Sequence, residues 1–256
     1  MNLLSSPAYW QAKAGIWVSD LYNKIISMIL TIIPIIVLIF SAIIHEYAHG
    51  WMAKRLGDDT AEREGRLTLN PLKHLDPVGS IIVPLILVLT KASFFFAWAK
   101  PVPYNPYNLR DHRFGDLKVA LAGPGVNIII AFIFGLIARF LPTMEGAKVT
   151  LLTAFFQGNT VLISSLTHNS LVTSLCLLAM IICFINLALA IFNLIPIPPL
   201  DGSKILFTFL PTRGRELFYK FEQYGFVILI ALIMLGAFSF ASTIVFWIFA
   251  IITGIL

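Results

Sequence analysis

The feature that most constrains this chain is a run of twenty residues, Ile25 to Ile44, interrupted only by small or mildly polar side chains and Pro34. A helix rises ~1.5 Å per residue, so a run of this length covers roughly 30 Å, the hydrocarbon thickness of a bilayer. The next five residues are His45-Glu46-Tyr47-Ala48-His49. On a helix this HExxH spacing puts His45 and His49 on one face with Glu46 beside them. Two neutral imidazoles so placed can hold a zinc ion, and the carboxylate can activate a metal-bound water. Ionisable groups on a segment that otherwise selects apolar ones are costly, which marks them as functional.

Composition places the whole chain in the membrane. Of 256 residues, 58% are hydrophobic and 12% charged, with mean hydropathy +0.87, whereas soluble domains carry about 25% charged residues. This predicts an all-α polytopic protein. The formal charge of +5 is then a topology signal, not a nucleic-acid footprint, because Lys and Arg gather in cytoplasmic loops. Cys176 and Cys183 share one apolar run and read as small hydrophobes, without a disulfide framework or a CxxC zinc knuckle. Residues 1–24 carry Tyr9, Trp10 and Trp17 and resemble an interfacial lead-in, not a removable signal.

The expected organisation is that lead-in followed by one membrane-embedded domain over 25–256, with a core at 25–210 and a helical hairpin at 224–256. Spans are expected at Ile25–Lys54, Leu117–Leu141 and Leu171–Ile195. Gly79 to Trp98 is apolar but broken by Pro84, which suits a re-entrant or interfacial segment. The total is five to six membrane helices. Gly65 to Pro71 alternates enough to predict a short strand in the cytoplasmic-side loop. A second extended, proline-rich stretch is expected near Pro101 to Pro103, where the Phe94–Tyr107 segment could pair with an unwound substrate. The segment between 54 and 118 holds ten Lys and Arg, that between 139 and 170 two, and that between 201 and 220 four. Positive-inside then puts Asp201 on the cytoplasmic side, with His49.

A catalytic zinc site wants three protein ligands and an open position. The residue six after His49 is Arg55, not His. Glu62 and Glu64 lie in a charged loop, and His74, His112 and His168 have no partner motif. Asp201 is the better candidate. It follows Pro196, Pro198 and Pro199, which unwind the chain, and precedes Gly202, which lets backbone approach closely. Asp201 could also simply cap a helix starting at Ser203.

Together, His45-Glu46-Tyr47-Ala48-His49 and Asn193-Leu194-Ile195-Pro196-Ile197-Pro198-Pro199-Leu200-Asp201-Gly202 resemble the site-2 protease family of intramembrane zinc metalloproteases. Ala122-Gly123-Pro124-Gly125-Val126-Asn127 and Asn70-Pro71-Leu72-Lys73-His74-Leu75-Asp76-Pro77 add to the likeness. It covers roughly 25–255 and fits a compact branch without PDZ or CBS domains. The resemblance implies one zinc ion on His45, His49 and Asp201, Glu46 as catalytic carboxylate, and Asn193 near the substrate or the developing oxyanion. Asn127 is expected to hydrogen-bond between helices. The implied substrate is a transmembrane helix of another protein in the cell membrane, cut nearer the cytoplasmic side. The alternative from another class is a transporter using His45, Glu46 and His49 as a cation path; the paired symmetry common in transporters is absent.

Overall fold

The computed structural model describes residues 7–90, 100–144, 146–168, 170–211, 214 and 222–256. The first helix, α1, runs unbroken from Pro7 to Arg55 and carries Pro34 inside it. After it come the short turn α2 (Thr60–Arg63) and α3 (Val83–Leu89), preceded by a wide π-type turn at Pro77–Ile82. The long helix α4 (Gly115–Phe140) follows. Two short helices, α5 (Ala147–Phe156) and α6 (Thr160–Thr167), then lead into α7 (Leu171–Asn193). The chain closes with α8 (Asp201–Phe209), α9 (Gly225–Met234) and α10 (Ser239–Thr253).

Three helical stretches are long and apolar enough to cross a bilayer: Lys24–Arg55, Gly115–Phe140 and Leu171–Asn193. The pair α9 and α10, bent by 76°, makes a fourth if counted as one broken span. The side chains of α1 explain the composition. Ile25, Ile29, Ile32, Ile36 and Phe40 are exposed, an arrangement tolerable only where the surroundings are themselves apolar. Helix α4 is central and packs against α1, α7, α8 and α10. Its Ala131 and Ala138 join Ala179, Met180, Cys183 and Phe249 in the largest core cluster. Small residues let these backbones approach closely. A Cβ at Gly135 would fall 2.3 Å from Ile252 Cγ2.

Two expectations are overturned. The described residues hold no β-strand, and among them three or four helical stretches are long and apolar enough to span, where about five to six membrane helices, a re-entrant or interfacial segment included, were expected. Gly65 to Pro71 cannot pair because its polar groups are spent locally. Gly65 turns the chain at φ 62°, Thr68 Oγ1 accepts from Asn70 N, and Asn70 Oδ1 accepts from Leu72 N to start a 3-10 turn. The Thr68 carbonyl accepts from His74 Nε2. Alternating polarity therefore had no partner strand to meet. The re-entrant expectation for 79–98 rests partly on 91–99, which lie outside the described residues, as does the aromatic half of the Phe94–Tyr107 segment. The described part contains only the Pro77–Ile82 turn and the seven residues of α3, too short to span.

Helices α5 and α6 form in the segment between 139 and 170, where the sequence analysis named no element. They are short, and their apolar residues (Leu151, Ala154, Ile163) pack on α7 and on Leu30, Ile33 and Val37 of α1. At the opposite end of the bundle, α1 finishes, α4 begins and α7 finishes. That end carries the site.

Candidate metal centre

Helix α1 delivers His45 and His49 one turn apart, as the spacing requires. The carboxylate comes from the far side of the sequence. After Asn193 the chain leaves α7 through Leu194 to Leu200, a loop with a cis Pro198–Pro199 bond, and turns into α8 at Asp201. Gly202 permits this. A Cβ there would lie 2.2 Å from the Leu194 carbonyl oxygen, so the start of α8 sits directly on the end of α7. Asp201 is the first residue of α8, and the preceding residue, Leu200, makes no side-chain cap. The Asp201 carboxylate oxygen Oδ2 lies against the two imidazoles.

Three donor atoms converge. His45 Nε2 is 3.0 Å from Asp201 Oδ2, His49 Nε2 is 3.1 Å from the same oxygen, and the two Nε2 atoms are 3.0 Å apart. All three residues are buried, and they form a group able to hold a metal ion. Around a tetrahedral zinc at ~2.0–2.2 Å, ligand atoms stand roughly 3.3–3.5 Å apart, so the triangle matches to within a few tenths of an ångström.

Proton bookkeeping favours a cation at its centre. His49 Nδ1 lies 2.7 Å from the Val119 carbonyl oxygen. That contact puts the proton of neutral His49 on Nδ1 and leaves Nε2 as a lone pair. Asp201 Oδ2 offers only lone pairs, and with His45 in the Nδ1–H tautomer a divalent ion would satisfy all the facing atoms at once. Gly123 completes the cradle. A Cβ on it would fall 2.4 Å from His49 Nε2 and 2.6 Å from His45 Nε2, so only the bare α-carbon leaves room beside the donors.

Glu46, half-buried, accepts a hydrogen bond from Val102 N at 2.8 Å. Asn193 Nδ2 donates to the Leu189 carbonyl one turn back at 2.9 Å; no hydrogen bond joins it to the triangle among the described residues. Among the described residues, the expected interhelical hydrogen bond of Asn127 is not made. The residue is fully buried with neither amide atom paired, whereas Asn186 Nδ2 reaches Ser41 Oγ at 2.9 Å across α7 and α1. The passed-over candidates have other employment: Glu62 pairs with Lys54, and His74 is a buried loop staple. Sequence reasoning did not find Val102 or the Val119 carbonyl, because a backbone donor or acceptor leaves no residue-type signal. For Gly123, the run of small residues suggested only close packing.

An HExxH helix at the end of a bilayer-length span, joined by a distant aspartate, defines a membrane zinc hydrolase. The comparisons agree. The sequence pattern of Peptidase family M50 matches residues 90–236, more than half of the chain. YwhC of Bacillus subtilis (strain 168), named as a zinc metalloprotease, is 38% identical over 198 residues, covering 77% of this chain and 78% of that protein. Rip2 of Mycolicibacterium smegmatis, named likewise, is 26% identical over 213 residues, covering 82% and 70%. Rip2 of Mycobacterium tuberculosis strain H37Rv is 25% identical over 212 residues, covering 83% and 68%. No solved structure gives a significant match. The chain belongs to peptidase family M50, the site-2 protease family, and is a multi-pass membrane zinc metalloprotease.

Proposed function

We propose that this protein hydrolyses peptide bonds within or next to transmembrane segments of other membrane proteins, the reaction of regulated intramembrane proteolysis. The observation that carries this is the convergence of His45, His49 and Asp201 beside Glu46, at the end of a bilayer-length helix. His45, His49 and Asp201 would hold the zinc ion. Bound there, zinc lowers the pKa of a water and polarises the scissile carbonyl.

The remaining steps belong to the chain's own residues. Glu46 takes a proton from the attacking water as the C–O bond forms and the carbonyl opens to a tetrahedral oxyanion; the carbonyl then re-forms, the C–N bond breaks, and Glu46 returns the proton to the departing amine, so the proton count balances. Asn193 turns from Leu189 toward the substrate and donates a hydrogen bond to the developing oxyanion. A substrate helix hides its carbonyls in its own i to i+4 bonds and must unwind first. The basic segments at 54–118 and 201–220 support a site nearer the cytoplasmic face of the cell membrane. The chain acts as one membrane-embedded domain from 25 to 256.

The experiment is Glu46→Gln, with bound zinc and cleavage of a single-span substrate measured on the same sample. Zinc is expected to stay near one per chain while cleavage falls by roughly 10²-fold or more. Unimpaired cleavage removes Glu46 from the chemistry.

A further inference from the structure

We propose that the backbone N–H of Val102 is the group that positions Glu46, and that the segment Lys100–Asn105 is a strap built to hold that N–H in place. This rests on Glu46 being the proton-transferring carboxylate.

Glu46 lies one residue from His45 on α1, but its side chain leaves the helix in a different direction from the imidazoles. A glutamate has three rotatable bonds, and a base that samples them freely loses most of its effectiveness. Among the described residues, its one hydrogen bond comes from Val102 N, 2.8 Å from Oε2. The donor suits the task. An amide N–H fixes the carboxylate without neutralising it, as a Lys or Arg ion pair would, and leaves Oε1 open for the proton.

The strap is held well beyond what a loop needs. Arg66 Nη2 donates to the carbonyls of Lys100 (2.8 Å) and Pro101 (3.2 Å). Lys100 N donates to the His74 carbonyl at 2.9 Å, and Asn105 N donates to Asp58 Oδ2 at 2.7 Å. The Tyr104 hydroxyl donates to Asp116, and Lys204, one turn past Asp201, stacks over the Tyr104 ring. Pro101 and Pro103 have no N–H, so between 101 and 103 Val102 carries the sole donor, and it goes to Glu46. The Val102 side chain is buried over Gly50, where a Cβ would fall 2.8 Å from Val102 Cγ1. Gly50 therefore sets how closely the strap approaches the helix that carries Glu46.

The test replaces the 101–102 amide by an ester, with 2-hydroxy-3-methylbutanoate in place of Val102, which removes the N–H and keeps the side chain. Zinc content, KM and kcat are measured on a single-span substrate. A second readout is the Glu46 carboxylate band, isolated in metal-free protein as the infrared difference against Glu46→Gln. The expected result is unchanged zinc, KM within about twofold, a shifted carboxylate band and a kcat lower by roughly tenfold or more, the scale of one charge-assisted hydrogen bond. Arg66→Gln, which loosens the strap, should lower kcat in the same direction with zinc retained.

Unchanged kcat in the ester variant, with Glu46→Gln inactive, overturns the positioning role and leaves the base role standing. Loss of zinc together with a large rise in KM also overturns it, because the strap would then be general scaffolding. Full activity of Glu46→Gln removes both ideas together.

Discussion

A methyl group on Gly123 would fall 2.4 Å from Nε2 of His49, although the two residues lie on different helices. No real Cβ contact is that short, so the α-carbon of α4 and the imidazole of α1 are packed as closely as two such groups can be. The position is constrained by the donor atoms it faces, not by the helix it belongs to.

Gly123→Ala should consequently displace both Nε2 atoms. The expected outcome is a zinc affinity weaker by at least ~10–100-fold, the loss usual when a ligand's orientation is disturbed, together with lost cleavage. Gly125→Ala, where nothing lies within 4 Å of the added methyl, should keep both and slightly favour the helix. Measuring zinc affinity by competition with a chromophoric chelator distinguishes the two. Equal affinities would mean that Gly123 is merely a helix-packing residue.

Asp58 anchors the loop that carries the strap, and its contribution should depend on pH. It is fully buried and accepts from Thr60 N and Oγ1, Asn105 N and Asn108 Nδ2. Burial opposes ionisation, but these hydrogen bonds together outweigh it and hold the carboxyl below its ordinary value. A depressed folded-state pKa contributes stability that is complete above the unfolded value of about 3.9 and is lost as pH falls through the lower folded value. The protection factor of the Asn105 amide, its exchange rate relative to an unstructured peptide at the same pH, should therefore be high at neutral pH and fall below about pH 4. Asp58→Asn should remove that acid dependence and cost about 2–3 kcal/mol, since it places a donor among donors. A wild-type protection factor that stays constant through the acid range would contradict the assignment.

Asn193 offers a sharper separation of roles. Its amide now donates to Leu189 at 2.9 Å, and use in catalysis requires it to exchange that partner for the oxyanion. Asn193→Ala should retain zinc and lose roughly 10²-fold in kcat. A kcat within experimental error of the wild type would leave Asn193 as a helix-end packing residue.

How much of this was legible beforehand follows the range of the interactions. The spans of α1, α4 and α7 were readable to within a few residues, because bilayer length and apolar content are properties of contiguous sequence. The strand at Gly65 to Pro71 was misread for a related reason. Alternation is local, but a strand needs a partner, and Thr68, Asn70 and His74 closed their groups on one another instead. Helices α5 and α6 escaped because eight or ten residues carry too little periodicity to stand out; packing against α1 and α7 stabilises them.

By itself, the sequence determined that His45 and His49 share one helix face next to Glu46 in a bilayer-length segment, since four residues are about one helical turn. Only the tertiary structure decided that Asp201, 152 positions beyond His49, closes the donor triangle. It also decided that the Val119 carbonyl fixes the imidazole, that Gly123 leaves room beside the donors and that Val102 reaches Glu46. Those relationships are set by how α1, α4 and the loop after α7 pack, and by backbone groups that every residue possesses, so no residue type announces them.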